Sequence, residues 1–135
     1  MNLGKNKLKL QIITPLKQIL DEEVESVILR TTEGDMGVLY DHQPTVALLS
    51  YNTISYTQEG KSKQATTMGG FAEITEDKVV ILTDASEFPE EIDVERAQKA
   101  KERATERLSQ SNIDKARAEI ALKKAITRLR LREEK

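Results

Sequence analysis

Arg96, Lys99, Arg103 and Arg107 fall at i, i+3, i+7 and i+11, and Arg117, Lys124 and Arg128 repeat that logic further on at i, i+7 and i+11. On helices, each set occupies one face. Turned toward each other, the two faces would bring four or more cations together. Guanidinium forks bind phosphate oxygens bidentately, so a polyphosphate suits such a cluster. Glu87 and Asp93 lie close enough in sequence to accept from a ribose hydroxyl or an adenine amino group. A second reading stands beside this one. Helices rich in Glu, Lys and Arg are commonly solvated faces, with Glu102 and Glu106 interleaved here, and spacing alone favours that reading. No GxxxxGK occurs, so the cations are not part of a P-loop. No nucleophile, base and acid are set out in a catalytic pattern, and no catalytic residue is expected. With no Cys and a single His, thiolate and multi-His metal sites are excluded. His42, in a turn beside Pro44, reads as structural or solvent-facing. Gly69-Gly70 before Phe71 reads as a bulge or tight turn at a strand start.

The elements that would carry the cations start at Ile92-Asp93-Val94-Glu95-Arg96-Ala97, beyond which neither Gly nor Pro occurs. Asp93 is a helix cap, with Glu95 in the first turn, where the helix dipole favours acid. Ala97, Ala100, Ala104 and Leu108 make one narrow apolar stripe. Ser109-Gln110-Ser111-Asn112 interrupts it, and Ser111 or Asn112 caps a second helix with Asp114 near its start. There Ala118, Leu122, Ala125 and Leu129 form the stripe, flanked by Ile120, Ala121 and Ile126. The short polar connection folds the pair back as a hairpin. Its seam is mostly Ala, and a buried methyl contributes only about 0.8 kcal/mol. The hairpin is therefore weakly closed, and straightened out, ~43 residues at ~1.5 Å each would reach roughly 65 Å. A weakly closed element with long reach is a candidate switch.

Upstream, the pattern is short alternating runs. Leu8, Leu10 and Ile12 alternate with Lys and Gln, and Thr14-Pro15 ends that strand. Further strands are expected over 18–24, 26–31, 36–39, 46–49, 53–58, 62–67, 70–74 and 78–83. Glu33-Gly34, Asp41-His42-Gln43-Pro44, Glu59-Gly60 and Glu76-Asp77 supply turns between them. Regularly spaced short strands imply an antiparallel sandwich or barrel. The unbroken run Val79-Val80-Ile81-Leu82 suggests a strand covered on both faces.

Charge divides at the same place. Residues 1–91 carry a net of −7 and residues 92–135 a net of +5, within a total of −2 over 135 residues. Two modules follow: a β domain over 1–86 and a helical hairpin over 87–135. No apolar run approaches the ~20 residues of a membrane span, and the first residues lack the apolar stretch of a signal peptide. A soluble intracellular chain is expected.

Four stretches carry a family resemblance. Leu10-Gln11-Ile12-Ile13-Thr14-Pro15 resembles a first strand. Glu33 to Pro44, Glu-Gly-Asp-Met-Gly-Val-Leu-Tyr-Asp-His-Gln-Pro, resembles a G-x-x-G-I-L-P-G-H-x-P loop. Gly69-Gly70-Phe71-Ala72-Glu73-Ile74 resembles a G-G-F-x-E-V strand. Ile92 to Ala97 matches an I/L-D-x-x-R-A motif. In this order and spacing they resemble the epsilon subunits of bacterial F-type ATP synthases, of the bacillus-like nucleotide-binding type, over almost the whole chain. The resemblance implies a ten-stranded antiparallel β-sandwich followed by a helical hairpin. It implies a non-catalytic rotor subunit at the cytoplasmic face of the cell membrane, peripheral to it. The sandwich would bind the gamma subunit and the polar loops of the c-ring, with Glu33, Asp35 and His42 toward those loops. The hairpin would fold down or extend along gamma into the alpha/beta head and block ATP hydrolysis. ATP would be a regulatory ligand of the folded form, its magnesium requirement open, held by Glu87, Asp93, Arg96, Arg103, Lys124 and Arg128. With the resemblance, the anion-site reading overtakes the solvated-face reading. The chain departs from the pattern at Tyr40-Asp41, where Pro-Gly is usual, and at Lys124, where an Arg is usual and a point charge replaces a fork. Arg130 and Arg132 add charge suited to acidic surfaces of the head.

Two other classes are weighed. A nucleic-acid module using the basic hairpin is disfavoured by the acidic front and by the lack of aromatics after Phe88 for stacking; nucleic acid is not an expected partner. A hydrolase with Glu/Asp chemistry lacks an evident paired acid and base.

Overall fold

The computed structural model describes residues 6–110 and 114–134. It separates into two compact units, Met1–Ser86 and Glu87–Lys135.

The first unit contains β1 (Leu8–Ile13), β2 (Gln18–Val24), β3 (Ser26–Thr31), β4 (Gly34–Val38), β5 (Thr45–Leu48), β6 (Tyr51–Gln58), β7 (Lys61–Met68), β8 (Phe71–Ile74) and β9 (Lys78–Leu82). They form a five-stranded sheet, β2-β1-β9-β8-β5, and a four-stranded sheet, β4-β3-β6-β7. Alternation decides which side chains face inward. Leu8, Leu10 and Ile12 are fully buried, as are Val79 and Ile81, and Val27, Leu29, Ile54 and Ala65 are fully buried in the other sheet.

The expected sandwich is therefore present, with three corrections. Nine strands, not ten, occur among the described residues, and Leu49 adds only an isolated bridge to Thr31. The sandwich is not wholly antiparallel: β1 pairs with β9 in parallel, Leu10 opposite Val79 and Ile12 opposite Ile81. The first and last strands enter the middle of one sheet running the same way, and an unbroken apolar run is what a parallel inner strand carries. Finally, β9 is not covered equally on both faces. Val79 and Ile81 are buried whereas Val80 and Leu82 are only half-buried.

Turn chemistry sets the corners. Glu59 and Gly60 both have positive φ (51° and 77°), the geometry of a two-residue I′ hairpin between β6 and β7. Gly69 and Gly70, with φ of 72° and 91°, carry the chain from β7 in one sheet to β8 in the other. A Cβ on Gly70 would stand 2.0 Å from the Leu82 carbonyl oxygen, so the backbones approach where no side chain fits. Asp41, at φ 70°, takes the left-handed conformation that a glycine adopts freely. The loop thus keeps a glycine-like backbone despite the Tyr40-Asp41 departure.

The second unit is a 3-10 turn, Pro89–Glu91, followed by α1 (Val94–Leu108) and α2 (Lys115–Glu134), which pack together as a hairpin. Asp93 caps α1, its carboxylate accepting from the Arg96 N–H at 3.0 Å. Ser111 and Asn112 lie outside the described residues. Asp114 does the capping work at α2, accepting from the Arg117 N–H at 3.2 Å. The seam is alanine: Ala97, Ala104, Ala118 and Ala125 are buried, while Ala100, Leu108, Leu122 and Leu129 are half-buried. Thr127 and Leu131 are buried too, outside the expected stripe, and the Thr127 hydroxyl is satisfied by the Lys123 carbonyl at 2.7 Å.

Candidate functional site

Arg96 and Arg103 each precede a buried seam alanine, Ala97 and Ala104, and Lys124 precedes Ala125. At 100° per residue, they stand beside the seam rather than in it. Because the partner helix runs the opposite way, the position before a seam residue falls on the same side of the pair in both helices. Arg128, three residues after Ala125, lies about 60° from the seam on that side as well. Arg96, Arg103, Lys124 and Arg128 therefore flank one edge of the hairpin. Arg107 and Arg117 also belong to this edge. Lys99 does not: it pairs with Glu95 one turn back at 3.4 Å, and both are exposed.

The two acids are placed differently. Glu87 is brought directly to Arg128: Nε donates to Oε1 at 2.6 Å, with both side chains 29% exposed. Asp93 meets Arg96 only through that residue's backbone N–H. Arg96 and Arg103 are exposed on α1, and Lys124 is half-buried on α2. Four cations facing two carboxylates leave a positive balance, and three of the four carry guanidinium forks. The donor set fits a polyphosphate with a sugar or base to occupy the acids. Among the described residues, no group of three or more His, Asp or Glu is placed to hold a metal ion.

The first unit presents a different surface. Glu33 sits in the β3–β4 turn and Asp35 just beyond it on β4, where it pairs with Arg30 of β3 at 3.3 Å. They line an open depression of about 430 Å³ with Val46 and Leu48 of β5. Val46 and Leu48 are 68% and 63% exposed, as is Leu39 at 63%. His42 leaves the other end of β4. Its Nδ1 lies 2.7 Å from the Gln43 carbonyl, and the preceding Asp41 N–H donates to the Glu76 carbonyl at 2.7 Å. The structure thus joins Glu33 and Asp35 and sets His42 apart.

Two carboxylates of this unit are displaced below the ordinary range. For Glu25, the Gly60 N–H, donating at 3.1 Å, is the largest cause; burial opposes it, and the Glu59 N–H and Lys7 assist. For Asp21, burial pushes upward, but Lys9 and Gln11 outweigh it.

Two family models divide the chain between them. Residues 7–89 match the beta-sandwich domain of the ATP synthase delta/epsilon chain, and residues 90–133 match its long alpha-helix domain. The chain belongs to the ATP synthase epsilon chain family. An ATP synthase epsilon chain of Alkaliphilus metalliredigens is 48% identical over 132 residues, covering 96% of this chain and 98% of the relative. That of Shouchella clausii is 42% identical over 122 residues, covering 90% and 92%. Among solved structures, a chain of the Euglena gracilis mitochondrial ATP synthase (OSCP/F1/c-ring) superposes with a TM-score of 0.79 at 34% identity, covering 90% of this chain and 78% of that one. A chain from the central stalk and c-ring of Tetrahymena thermophila ATP synthase shares the fold at a TM-score of 0.62 and 16% identity, covering 95% of each. Epsilon chains are stalk subunits rather than catalytic ones, and this family member is not an enzyme. No helix among its described residues is long and apolar enough to cross a membrane.

The seven-residue spacing of the alanine stripe points neither to Arg132, whose guanidinium donates to the Pro89 carbonyl at 3.2 Å, nor to the buried Thr127 and Leu131. Thr127 and Leu131, like Arg128 and Arg132, are spaced i, i+4, a weaker signal than the stripe.

Proposed function

We propose that this chain is a rotor subunit of an F-type ATP synthase whose helical hairpin senses ATP and restrains ATP hydrolysis. One observation carries the reading: two long helices meet along an alanine seam, with Arg96, Arg103, Lys124 and Arg128 flanking one edge of it. Four buried methyls contribute about 3 kcal/mol together. A ligand held only by the closed hairpin adds RT ln(1+[L]/Kd), about 2.7 kcal/mol at 100 Kd. The two quantities are comparable, so binding moves the open–closed ratio nearly 100-fold. When the nucleotide falls, the helices separate and the basic edge, with Arg130, reaches acidic surfaces of the alpha/beta head. In the closed form Arg96 and Arg103 grip phosphate oxygens beside Arg128 and Lys124, while Asp93 and Glu87 accept from the nucleoside. This unit lies at the cytoplasmic face of the membrane complex, peripheral to it. The sandwich meets gamma and the c-ring loops through the exposed apolar and acidic surface around Val46, Leu48, Glu33 and Asp35, with His42 as a further c-ring contact. Exposed apolar clusters of that kind mark interaction surfaces.

The test is calorimetry on the full chain together with assembled-complex activity. Arg96→Ala should weaken ATP binding, and deletion of residues 92–135 should raise ATPase activity of the complex. Unchanged binding sinks the site, and unchanged activity sinks the inhibitory role.

A further inference from the structure

We propose that Arg128 and Arg132 form a latch, independent of nucleotide, that hooks the end of α2 onto the segment leading into α1. The inference rests on the opening hairpin of the previous subsection and concerns what holds it shut when no ligand is bound. The two arginines are one helical turn apart. Arg128 Nε donates to Glu87 Oε1 at 2.6 Å, and an Arg132 Nη donates to the Pro89 carbonyl at 3.2 Å. Their partners are 41 and 43 residues away in sequence, within the short segment that precedes α1.

That segment is built to receive them. Proline fixes its own φ at Pro89. The Glu91 carboxylate accepts from the Phe88 N–H at 2.9 Å. The Glu91 N–H donates to the Phe88 carbonyl at 3.0 Å, and the Ile92 N–H to the Pro89 carbonyl at 3.2 Å. Pro89 and Ile92 are buried. The hook therefore grips a pre-ordered turn and loses little entropy in doing so. Leu131, between the two arginines, is fully buried, which keeps the end of α2 from fraying away from them. A half-buried, charge-assisted pair of this geometry is stronger than an exposed one.

The latch and a straightened hairpin exclude each other. In one continuous helix starting at Val94, Arg128 would stand roughly 50 Å along the axis from its start. Opening must therefore release both contacts, whereas closing the alanine seam without them leaves the end of α2 untied.

The chain lacks cysteine, so two introduced thiols can be labelled without background. Gln98→Cys and Ala121→Cys, both at exposed positions, carry spin labels on the nucleotide-free full chain. The closed hairpin places the two helix axes about 10 Å apart; a straight helix separates the two positions by about 35 Å. The expected result is a mainly short distance in the parent and an open fraction raised about fivefold by Arg132→Gln, a loss of the size a charge-assisted contact supports. Glu87→Gln combined with Arg132→Gln should raise it further, with helicity by circular dichroism unchanged. A parent already at the long distance, unchanged distances in both variants, or lost helicity in place of a longer distance would each overturn the latch. ATP added to the parent and to Arg132→Gln alone, which keeps every proposed nucleotide contact, separates the two ideas. Opening that ATP fails to reverse keeps the latch and removes ATP sensing; ATP-driven closure with no effect of the variants removes the latch alone.

Discussion

Replacing Gly70 with alanine tests the corner on which the sandwich is built. The added Cβ would stand 2.0 Å from the Leu82 carbonyl oxygen, 2.9 Å from Thr83 Cα and 3.0 Å from the Leu82 carbonyl carbon. All three are backbone atoms, so no side chain can swing away. At φ 91° an alanine also pays conformational strain of about 1–3 kcal/mol. Relief requires β8 to part from β9 at the Phe71–Leu82 pairing, with one or two ladder hydrogen bonds weakened at about 1 kcal/mol each. The sum is about 2–5 kcal/mol, a large share of the 5–15 kcal/mol typical of a domain. For a unit of this size, the melting temperature should fall by at least ~8 °C. Near-ultraviolet circular dichroism is the assay, because all three tyrosines, Tyr40, Tyr51 and Tyr56, lie in the sandwich and none in the helices. Gly37→Ala is the control: a Cβ there meets nothing within 4 Å and φ is ordinary. If both variants melt within a few degrees of the parent, the close-approach reasoning is wrong.

Three further outcomes follow from the same contacts. Ala104→Gly with Ala125→Gly removes two seam methyls worth about 1.6 kcal/mol, while the propensity cost falls equally on open and closed helices; the open–closed ratio should rise about 15-fold on the label pair at 98 and 121, and an unmoved ratio would show that the seam does not hold the hairpin. Asp41→Gly should leave the sandwich equally or slightly more stable, whereas Asp41→Val should cost about 1–2 kcal/mol in the left-handed conformation; equal melting of the two would contradict the φ of 70°. Glu25 is held below its ordinary value of 4.5 chiefly by the Gly60 N–H, so its contribution is present above that value and is lost as pH falls through the lower, folded value. Glu25→Gln should flatten the acid limb of stability against pH below about 4.5, and an unchanged limb would remove Glu25 from the account.

What was legible in the sequence was local. The Glu59-Gly60 hairpin, the Asp93 cap and the alanine stripe are set by residues a few positions apart, and each formed where its pattern placed it. Gly70 was readable as a tight turn, but not its reason, since Leu82 is distant in sequence. The parallel pairing of β1 with β9 was hidden in the same way; the only trace was the unbroken run Val79–Leu82. On the helices, spacing grouped Lys99 with Arg96 and Arg103, yet Glu95 claims it. The edge formed by Arg96, Arg103, Lys124 and Arg128 could be read only once the seam was known, because burial of Ala97 and Ala125 decides which way each cation points. The grip of Arg132 on a carbonyl had no side-chain signature at all.

The pairing of the first strand with the ninth has a consequence for biosynthesis. As the chain leaves the ribosome, β1 and β2 can zip early, but β1 keeps an open edge until Lys78–Leu82 arrives. Such a long-delayed partner is slow to find and leaves a sticky border exposed meanwhile. The closing strand is also the last part of the sandwich to be synthesised, and the helices come directly after it. A ribosome stalled before Lys78 would therefore release a product with an unsealed sheet.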